Sequence, residues 1–174
     1  MIIGHLPAGY LIAKGLADRM IANARALPAF VCAGLLGSVF PDLDLFYFYW
    51  IDHRQHHHHT YWTHYPIVWL SLALASAVWV RARKGSLPAA LSLIFALNGC
   101  AHMVLDSIVG HIWWLAPFVD QSFSAFTIAR THEPWWLNFV LHWSFVLETV
   151  LLTAAVVVYV RGRQRVGLRS ETEP

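Results

Sequence analysis

The sequence contains few charged residues. Asp, Glu, Lys and Arg make up only 13% of its 174 residues, whereas hydrophobic residues make up 57% and the mean hydropathy is +0.50. An average soluble domain is about one quarter charged. So little charge on so small a chain excludes an ordinary soluble domain and predicts an integral membrane protein with much lipid-facing surface. The net charge of +2 gives no indication of a nucleic acid partner.

Cysteine and targeting signals are scarce as well. Cys32 and Cys100 lie inside apolar runs, far apart in sequence. This favours two buried small hydrophobic residues over a disulfide or a reactive thiol. Residues 1–15 have neither a basic start nor a small-residue cleavage site, so we expect no removable signal peptide.

The uncharged runs are short for membrane spans. Three of them contain 16, 16 and 17 residues, and a longer one is interrupted by His142 and Glu148; they cover residues 26–41, 65–80, 85–101 and 134–160. A spanning helix needs roughly 20 residues, and the Trp and Tyr clusters that flank these runs extend them into the membrane–water interface.

The fold class that these runs predict is an all-α integral membrane bundle with four transmembrane helices. An additional, less hydrophobic helix over residues 4–22 is amphipathic and lies on the membrane, enters it or crosses it. We expect one membrane-embedded domain over residues 1–162 and a polar cytoplasmic tail over residues 163–174.

The basic residues predict the orientation in the membrane. Ten of the twelve Lys and Arg residues lie between 14 and 25, between 81 and 84, and between 161 and 169. The positive-inside rule therefore places residues 81–86 and the C-terminus in the cytoplasm. The loops at 45–64 and 107–138, which hold almost all the histidines, would then face the outer side.

Acidic residues follow the first apolar run. Pro41 ends or bends that helix, and Asp42 and Asp44 come directly after it. Carboxylates at this depth are costly unless they are paired or bound to a metal. They are therefore either capping residues of a turn or hard oxygen ligands for a divalent cation.

His102 and Asp106 end the third apolar run. They are four residues apart, so they lie on one face of a helix and one turn from each other. A single helix offers two ligands to one metal with this spacing, although a simple His–Asp hydrogen bond uses it too. His111 follows as a further ligand, an outer residue or a plain loop residue.

The segment "HRQHHHHTYWTH" at 53–64 holds six of the eleven histidines. A helix would place His53, His57 and His64 on one face, whereas an extended chain would place alternate residues there. In either conformation, we expect one or two of these histidines to bind a metal. Thr60 and Thr63 are expected to cap or orient a helix that starts near His64. Outside this segment, His5 is either an interfacial histidine or a ligand, and Glu148 is expected to pair with a polar group on a neighbouring helix.

These motifs, in this order, resemble the LexA-binding, inner membrane-associated hydrolases, the YdjM-like family of membrane-bound metal-dependent hydrolases. The family shows a Gly-His, a Pro-Asp-x-Asp, a His-Arg-Gly-x-Thr-His and a His-xxx-Asp. Between residues 4 and about 118, this chain has Gly4-His5, Pro41-Asp42-Leu43-Asp44, "HTYWTH" at 59–64, and His102 with Asp106 before "WWLAPF".

The third motif departs from the family pattern. In the register without an insertion, His59 and His64 are the motif histidines, while Thr60 and Tyr61 replace its arginine and glycine. The other register makes His53-Arg54 the His-Arg pair. The resemblance implies a divalent cation held by His5, Asp42, Asp44, His59, His64, His102 and Asp106. Possible outer residues or additional ligands are His53, Arg54, His57 and His111.

The function that the resemblance implies is metal-dependent hydrolysis, and the placement of these residues puts it at the outer membrane interface. A mixed His and carboxylate set suits Zn²⁺, and also Mn²⁺ or Fe²⁺. A metal-bound water would attack, and Asp44, or otherwise Asp42, would take its proton. The membrane setting favours a lipid or lipid-linked phosphoester as substrate. More distantly, the motifs resemble zinc-dependent phospholipase C and related zinc nucleases, but their His-xxx-Glu motif does not occur here.

A different class of function is also open. In that alternative the protein binds or transports metal without catalysis, with the histidine run capturing cations. Haem ligation by paired histidines is less favoured, because haem does not need the acids. The concentration of ligands at one face favours a surface site over a transport path.

Overall fold

The computed structural model describes residues 3–172, with side chains placed as far as Gln164. It is all-helical over this range, and a single isolated bridge joins Ile112 to Phe123. Seven α-helices follow one another: α1 His5–Met20, α2 Leu27–Val39, α3 Asp44–Trp50, α4 Pro66–Ala82, α5 Leu87–Asp106, α6 Trp136–Val140 and α7 Ser144–Thr172. Short 3-10 turns occur at Ala24–Ala26, Pro41–Leu43, His58–Thr60 and Trp62–His64.

The predicted apolar runs form helices. The first, second and third runs correspond to α2, α4 and α5, and the last is divided into α6 and α7. The amphipathic segment forms α1. Helix α7 remains helical as far as Thr172, so it crosses the boundary predicted between the domain and the tail at residues 162 and 163.

A break at Pro41 separates α2 from α3. The two segments Ala24–Val39 and Pro41–Trp50 meet at 55°, because proline cannot donate the backbone hydrogen bond that would continue α2. The bend turns the chain aside directly before Asp42 and Asp44, which therefore follow the end of α2 in a tight turn.

Helix α5 lies at the centre of the bundle. It packs against α1, α2 and α4, while α7 packs mainly against α1. The apolar core between α1, α2 and α5 consists of Ala13, Ala17, Phe30, Ala90 and Ile94.

Glycine allows α4 and α5 to approach closely. A Cβ on Gly99 would lie 1.9 Å from Cε3 of Trp69, so only glycine leaves room for this ring. Trp69 is 2% exposed, and its indole Nε1 donates a hydrogen bond of 2.7 Å to the backbone oxygen of Thr63. The close approach of the helices therefore anchors the segment that precedes His64.

Within the described part of the chain, two helices are long and apolar enough to cross a membrane, namely α5 and the Ser144–Gln164 part of α7. The bent α2–α3 pair counts as a third candidate if it forms one span, and α4 is apolar but shorter. The structure thus supports a helical membrane protein with two or three candidate spans. The count of four spans and the orientation remain predictions.

Several helix ends meet at one end of the bundle. Helices α2 and α5 finish there, and α1, α4 and α7 begin there, as the contacts of His102 with Ser38 and of Glu148 with Gly4 show. The basic residues Arg19, Arg81 and Arg83 lie at the opposite helix ends. Histidines and carboxylates thus gather at one end of the bundle, away from the positive charges.

Candidate metal centre

Four side chains from three parts of the chain converge at this end of the bundle. Asp42, His64, His102 and Asp106 each offer one ligand atom, and these atoms all lie within 4.8 Å of one another. Nε2 of His102 lies 3.6 Å from Asp42 Oδ1 and 3.0 Å from Asp106 Oδ2. Nε2 of His64 lies 3.6 Å from Asp42 Oδ1 and 3.9 Å from Asp106 Oδ2.

These separations match those between ligands of one cation. Bonds of about 2.0–2.2 Å to nitrogen and oxygen place neighbouring ligands about 3.4 Å apart in a tetrahedral site and about 3.0 Å apart in an octahedral one. The observed nitrogen–oxygen separations of 3.6–3.9 Å are also longer than the 2.7–3.2 Å of most N–H···O hydrogen bonds. The exception is the pair of His102 and Asp106, at 3.0 Å. The arrangement therefore fits a shared cation better than a set of His–Asp hydrogen bonds.

The outer ring nitrogens of the histidines are already engaged. Nδ1 of His102 donates to the backbone oxygen of Ser38 at 2.8 Å, and Nδ1 of His59 donates to that of His111 at 3.0 Å. Nδ1 of His64 donates to Asp44 Oδ2 at 2.6 Å. Because each of these acceptors lacks a hydrogen, Nδ1 carries a proton in each ring, and Nε2 is the atom that faces the carboxylates of the centre.

The inner ring nitrogens have the character of metal ligands. Among the residues that the structure describes, Nε2 of His64 and Nε2 of His102 are buried, and their contacts with the Asp42 and Asp106 carboxylates at 3.0–3.9 Å do not have hydrogen-bond geometry. Buried polar atoms are normally paired, and a ligating histidine usually donates its other N–H to a carboxylate or a backbone carbonyl. The donor set therefore fits a divalent cation.

The electrostatics of the loop residues point the same way. Burial disfavours the charged ring of His64, but the neighbouring Asp42 and Asp44 carboxylates outweigh it and raise the pKa to about 9. Burial lowers the pKa of His59 to about 2, so that ring is neutral and its lone pair is available. The acids thus favour a positive charge at the centre, which a divalent cation supplies.

His5 and His59 border the central four residues, which are Asp42, His64, His102 and Asp106. Nε2 of His5 lies 3.1 Å from Asp106 Oδ1, and its ring stacks on His102 with the centroids 3.8 Å apart. Nε2 of His59 lies 3.6 Å from Asp106 Oδ2. His59 thus presents a lone pair at the edge of the centre, while His5 contacts the second oxygen of a central carboxylate.

Asp44 lies on the far side of His64. Its Oδ2 accepts hydrogen bonds from His64 Nδ1 and, at 2.7 Å, from Thr63 Oγ1. The predicted ligand set is therefore divided in the structure. Asp42 faces the ring nitrogens of the centre, whereas Asp44 orients one of the rings.

The remaining predicted residues lie outside the centre. His53 and Arg54 are exposed, with positive φ angles of 49° and 65°, and Arg54 lies over the Tyr49 ring. Nδ1 of His57 accepts the backbone N–H of His59, so it supports a ligand candidate from outside. The exposed side chain of His111 contacts Ser122, and only its backbone oxygen touches the site, at His59.

The predicted helix cap near His64 is wrong. Helix α4 begins at Pro66, and its N-cap residue Tyr65 makes no side-chain cap hydrogen bond, because proline is itself well suited to the first helical turn. Thr63 donates instead to Asp44, and Thr60 donates to the backbone oxygen of His57 at 2.6 Å. Thr63 therefore acts on His64 through a shared carboxylate.

The sequence did not single out some of the residues that form the site. His58 lies beside Asp44, with 3.5 Å between His58 Nδ1 and Asp44 Oδ1, although a run of four histidines does not indicate which one turns inward. The backbone oxygens of Ser38 and His111 have no signal in the sequence. Glu148, 1% exposed, pairs with a neighbouring helix as predicted, through the backbone N–H groups of Ile3 and Gly4.

The centre opens toward solvent at one carboxylate. The Asp42 side chain is 32% exposed, whereas those of Asp106 and His102 are 3% and 0% exposed. Catalytic metal sites keep an open coordination position, whereas structural ones are closed by protein ligands. The exposure of Asp42 thus gives the centre the accessibility that a reacting molecule requires.

The comparison with protein families matches the whole of this region. A family model described as YdjM inner membrane protein matches residues 1–166. No curated protein and no solved structure matches the chain. The matched range includes every residue of the candidate metal centre.

Proposed function

This chain belongs to the YdjM inner membrane protein family, and we propose that it is a membrane-bound metal-dependent hydrolase. The reaction would be cleavage of a phosphoester in a lipid or lipid-linked substrate at the outer face of the membrane. The proposal is carried by the two buried Nε2 atoms of His64 and His102, which make no hydrogen bond of good geometry and converge on the carboxylates of Asp42 and Asp106.

In this proposal the central four residues hold the cation, with His59 at its edge. A bound divalent cation polarises the phosphoryl oxygen and lowers the pKa of water toward neutrality. Zn²⁺ suits the mixed donor set, and Mn²⁺ or Fe²⁺ are the other candidates. Asp44 and the Ser38 carbonyl fix the ring orientations, so that the ligands do not have to reorganise when the cation binds.

Asp42 is the better candidate for accepting the proton. Asp44, the expected proton acceptor, has one oxygen occupied by Thr63 and His64 and is 6% exposed. Asp42 is the partly exposed carboxylate of the centre, so it can meet a water molecule that enters from solvent. A general base must lie within hydrogen-bond reach of the proton that it removes.

The aromatic surface next to the centre supports a lipid substrate. Helix α3, which begins at Asp44, exposes the side chains of Tyr49 and Trp50, and Trp62 is exposed just before His64. Trp and Tyr favour the headgroup region of a bilayer. This depth would bring a lipid phosphoester level with the cation, and the positive-inside distribution would place the centre on the outer side.

A transporter is less well supported by the interior of the bundle. Between the centre and the opposite helix ends, α1, α2 and α5 pack through Ala13, Phe30 and Ile94, all of them fully buried. A path for a cation would require polar ligands along it. The apolar core instead confines the cation to the end of the bundle.

Purified protein in lipid nanodiscs tests the proposal. We expect stoichiometric zinc or manganese by elemental analysis, and release of a headgroup or phosphate from a panel of phospholipids and lipid-linked phosphates. His102→Ala with Asp106→Ala should remove the cation of the central four residues and the turnover, whereas His132→Ala, at an exposed loop histidine, should change neither. Metal without turnover, combined with cation flux in proteoliposomes, would contradict the hydrolase and favour the transporter.

A further inference from the structure

A second pair of buried ligand atoms, neither of which makes a hydrogen bond, lies beside the metal centre. Oδ2 of Asp44 accepts two hydrogen bonds, but Oδ1 of the same carboxylate accepts none in the part of the chain that the structure describes. The same is true of Nδ1 of His58, which lies 3.5 Å away. Both atoms face each other across a gap outside the central four residues.

The gap has the width expected between two ligands of one cation. A hydrogen bond between these atoms would draw them together to about 2.7–3.2 Å, as His64 and Asp44 are drawn to 2.6 Å. Neighbouring ligands of a tetrahedral cation lie about 3.4 Å apart instead. The side chain of Asp44 is 3% exposed and that of His58 is 25% exposed, so such a cation would be held from the inside and remain accessible from solvent.

Further donors surround this gap. His58, His59 and His64 each offer a ring nitrogen, and the three atoms lie within 4.8 Å of one another. The rings of His58 and His59 have centroids 4.1 Å apart, and Nε2 of His59 also borders Asp106. His59 therefore lies between the central four residues and the gap, within reach of both.

We propose that the chain holds a second divalent cation between the ring of His58 and the carboxylate of Asp44, next to the cation of the central four residues. This subsite adds a second cation to the proposed function and rests on it, because both cations would lie in the same site. It requires metal binding but not catalysis, so it can be tested separately. His58 stands outside the His59–His64 motif. The donor set of imidazole and carboxylate selects cations of the zinc and manganese class.

Metal stoichiometry tests the second subsite. The full chain in detergent or nanodiscs is dialysed against Zn²⁺ alone, and separately against Mn²⁺ alone, and its metal content is measured per protein. We expect two equivalents in the wild type and one in His58→Phe, which keeps an aromatic ring against Phe48 but removes the nitrogens. His56→Ala is the matched control within the same run, because His56 is exposed and its hydrogen bonds are to Asp52, away from the gap; it should retain two equivalents.

The outcomes separate this proposal from the proposed function. One equivalent in the wild type that His102→Ala removes would overturn the second subsite and leave the first centre intact. Two equivalents in His58→Phe would overturn the second subsite as well. A wild-type protein without bound metal would overturn both. His58→Gln, which keeps a polar side chain of similar length, should also lose one equivalent if His58→Phe proves unstable, and its retention of both would count against the proposal.

Discussion

Replacing Gly99 by alanine tests the link between helix packing and the metal centre. The new Cβ would lie 1.9 Å from Cε3 and 2.3 Å from Cδ2 of Trp69, far inside van der Waals contact. Because Trp69 is buried against Phe40 and Phe95, its ring cannot move aside without disturbing neighbours. Overpacking of this kind costs about 1–3 kcal/mol.

The displacement also breaks a hydrogen bond. If the indole shifts, Nε1 loses the backbone oxygen of Thr63, and an unmade hydrogen bond in the interior adds about 1 kcal/mol. We therefore expect Gly99→Ala to lower the free energy of unfolding by about 2–4 kcal/mol. The shift of Thr63 should also disturb Asp44 and His64 and so weaken metal binding.

The matched control is Gly15→Ala in α1. A Cβ at Gly15 meets nothing within 4 Å, and alanine is favoured over glycine in a helix by up to about 1 kcal/mol. Denaturant unfolding followed by tryptophan fluorescence compares the two variants, with metal content measured on each. A Gly99→Ala protein as stable as the wild type, with unchanged metal content, would refute the packing argument.

The other predictions concern the centre and its supports. Asp44→Asn should weaken the binding of the cation at the central four residues by about 10–100-fold, because Asp44 orients the ring of His64. Competition with a chromogenic chelator measures this affinity, and an unchanged value would contradict the orienting role. Stripping the metal with a chelator should lower the midpoint of thermal unfolding, and restoring it at about 100 times its Kd should return about 2.7 kcal/mol; His102→Ala, which loses the cation of the central four residues, should respond less than the wild type to both treatments. Glu148→Leu should cost about 1–4 kcal/mol, because it leaves the buried N–H group of Gly4 and the partly buried one of Ile3 without their acceptor, whereas the exposed Thr149→Val should have little effect on unfolding.

The local sequence pattern was sufficient to predict the helices and the pairs of residues that share one helical face. The spacing of His102 and Asp106 predicts one face of one helix, and they do lie 3.0 Å apart at the end of α5. The break after α2 was predicted by Pro41. These features depend on neighbours within one helical turn, so the sequence contains the information that determines them.

Contacts between distant segments were not predictable in the same way. Asp42 and Asp44 are two residues apart and of one chemical type, yet one faces the ring nitrogens of the centre and the other supports His64 from behind. Their different roles depend on how the turn after α2 meets the Trp62–His64 turn, which is set by the packing of α4 on α5. The family motifs do not distinguish the two acids either.

The sequence by itself determined the class of the protein, its helices, its family and the order of its motifs, because hydropathy and helical periodicity are properties of short segments. Only the tertiary structure decided which histidines of the run turn inward and which carbonyl oxygens orient them. It also decided that Asp42 faces the centre whereas Asp44, in the same motif, orients His64. The four consecutive histidines His56–His59 are chemically identical and differ only in their surroundings, which are formed largely by residues far away in the chain.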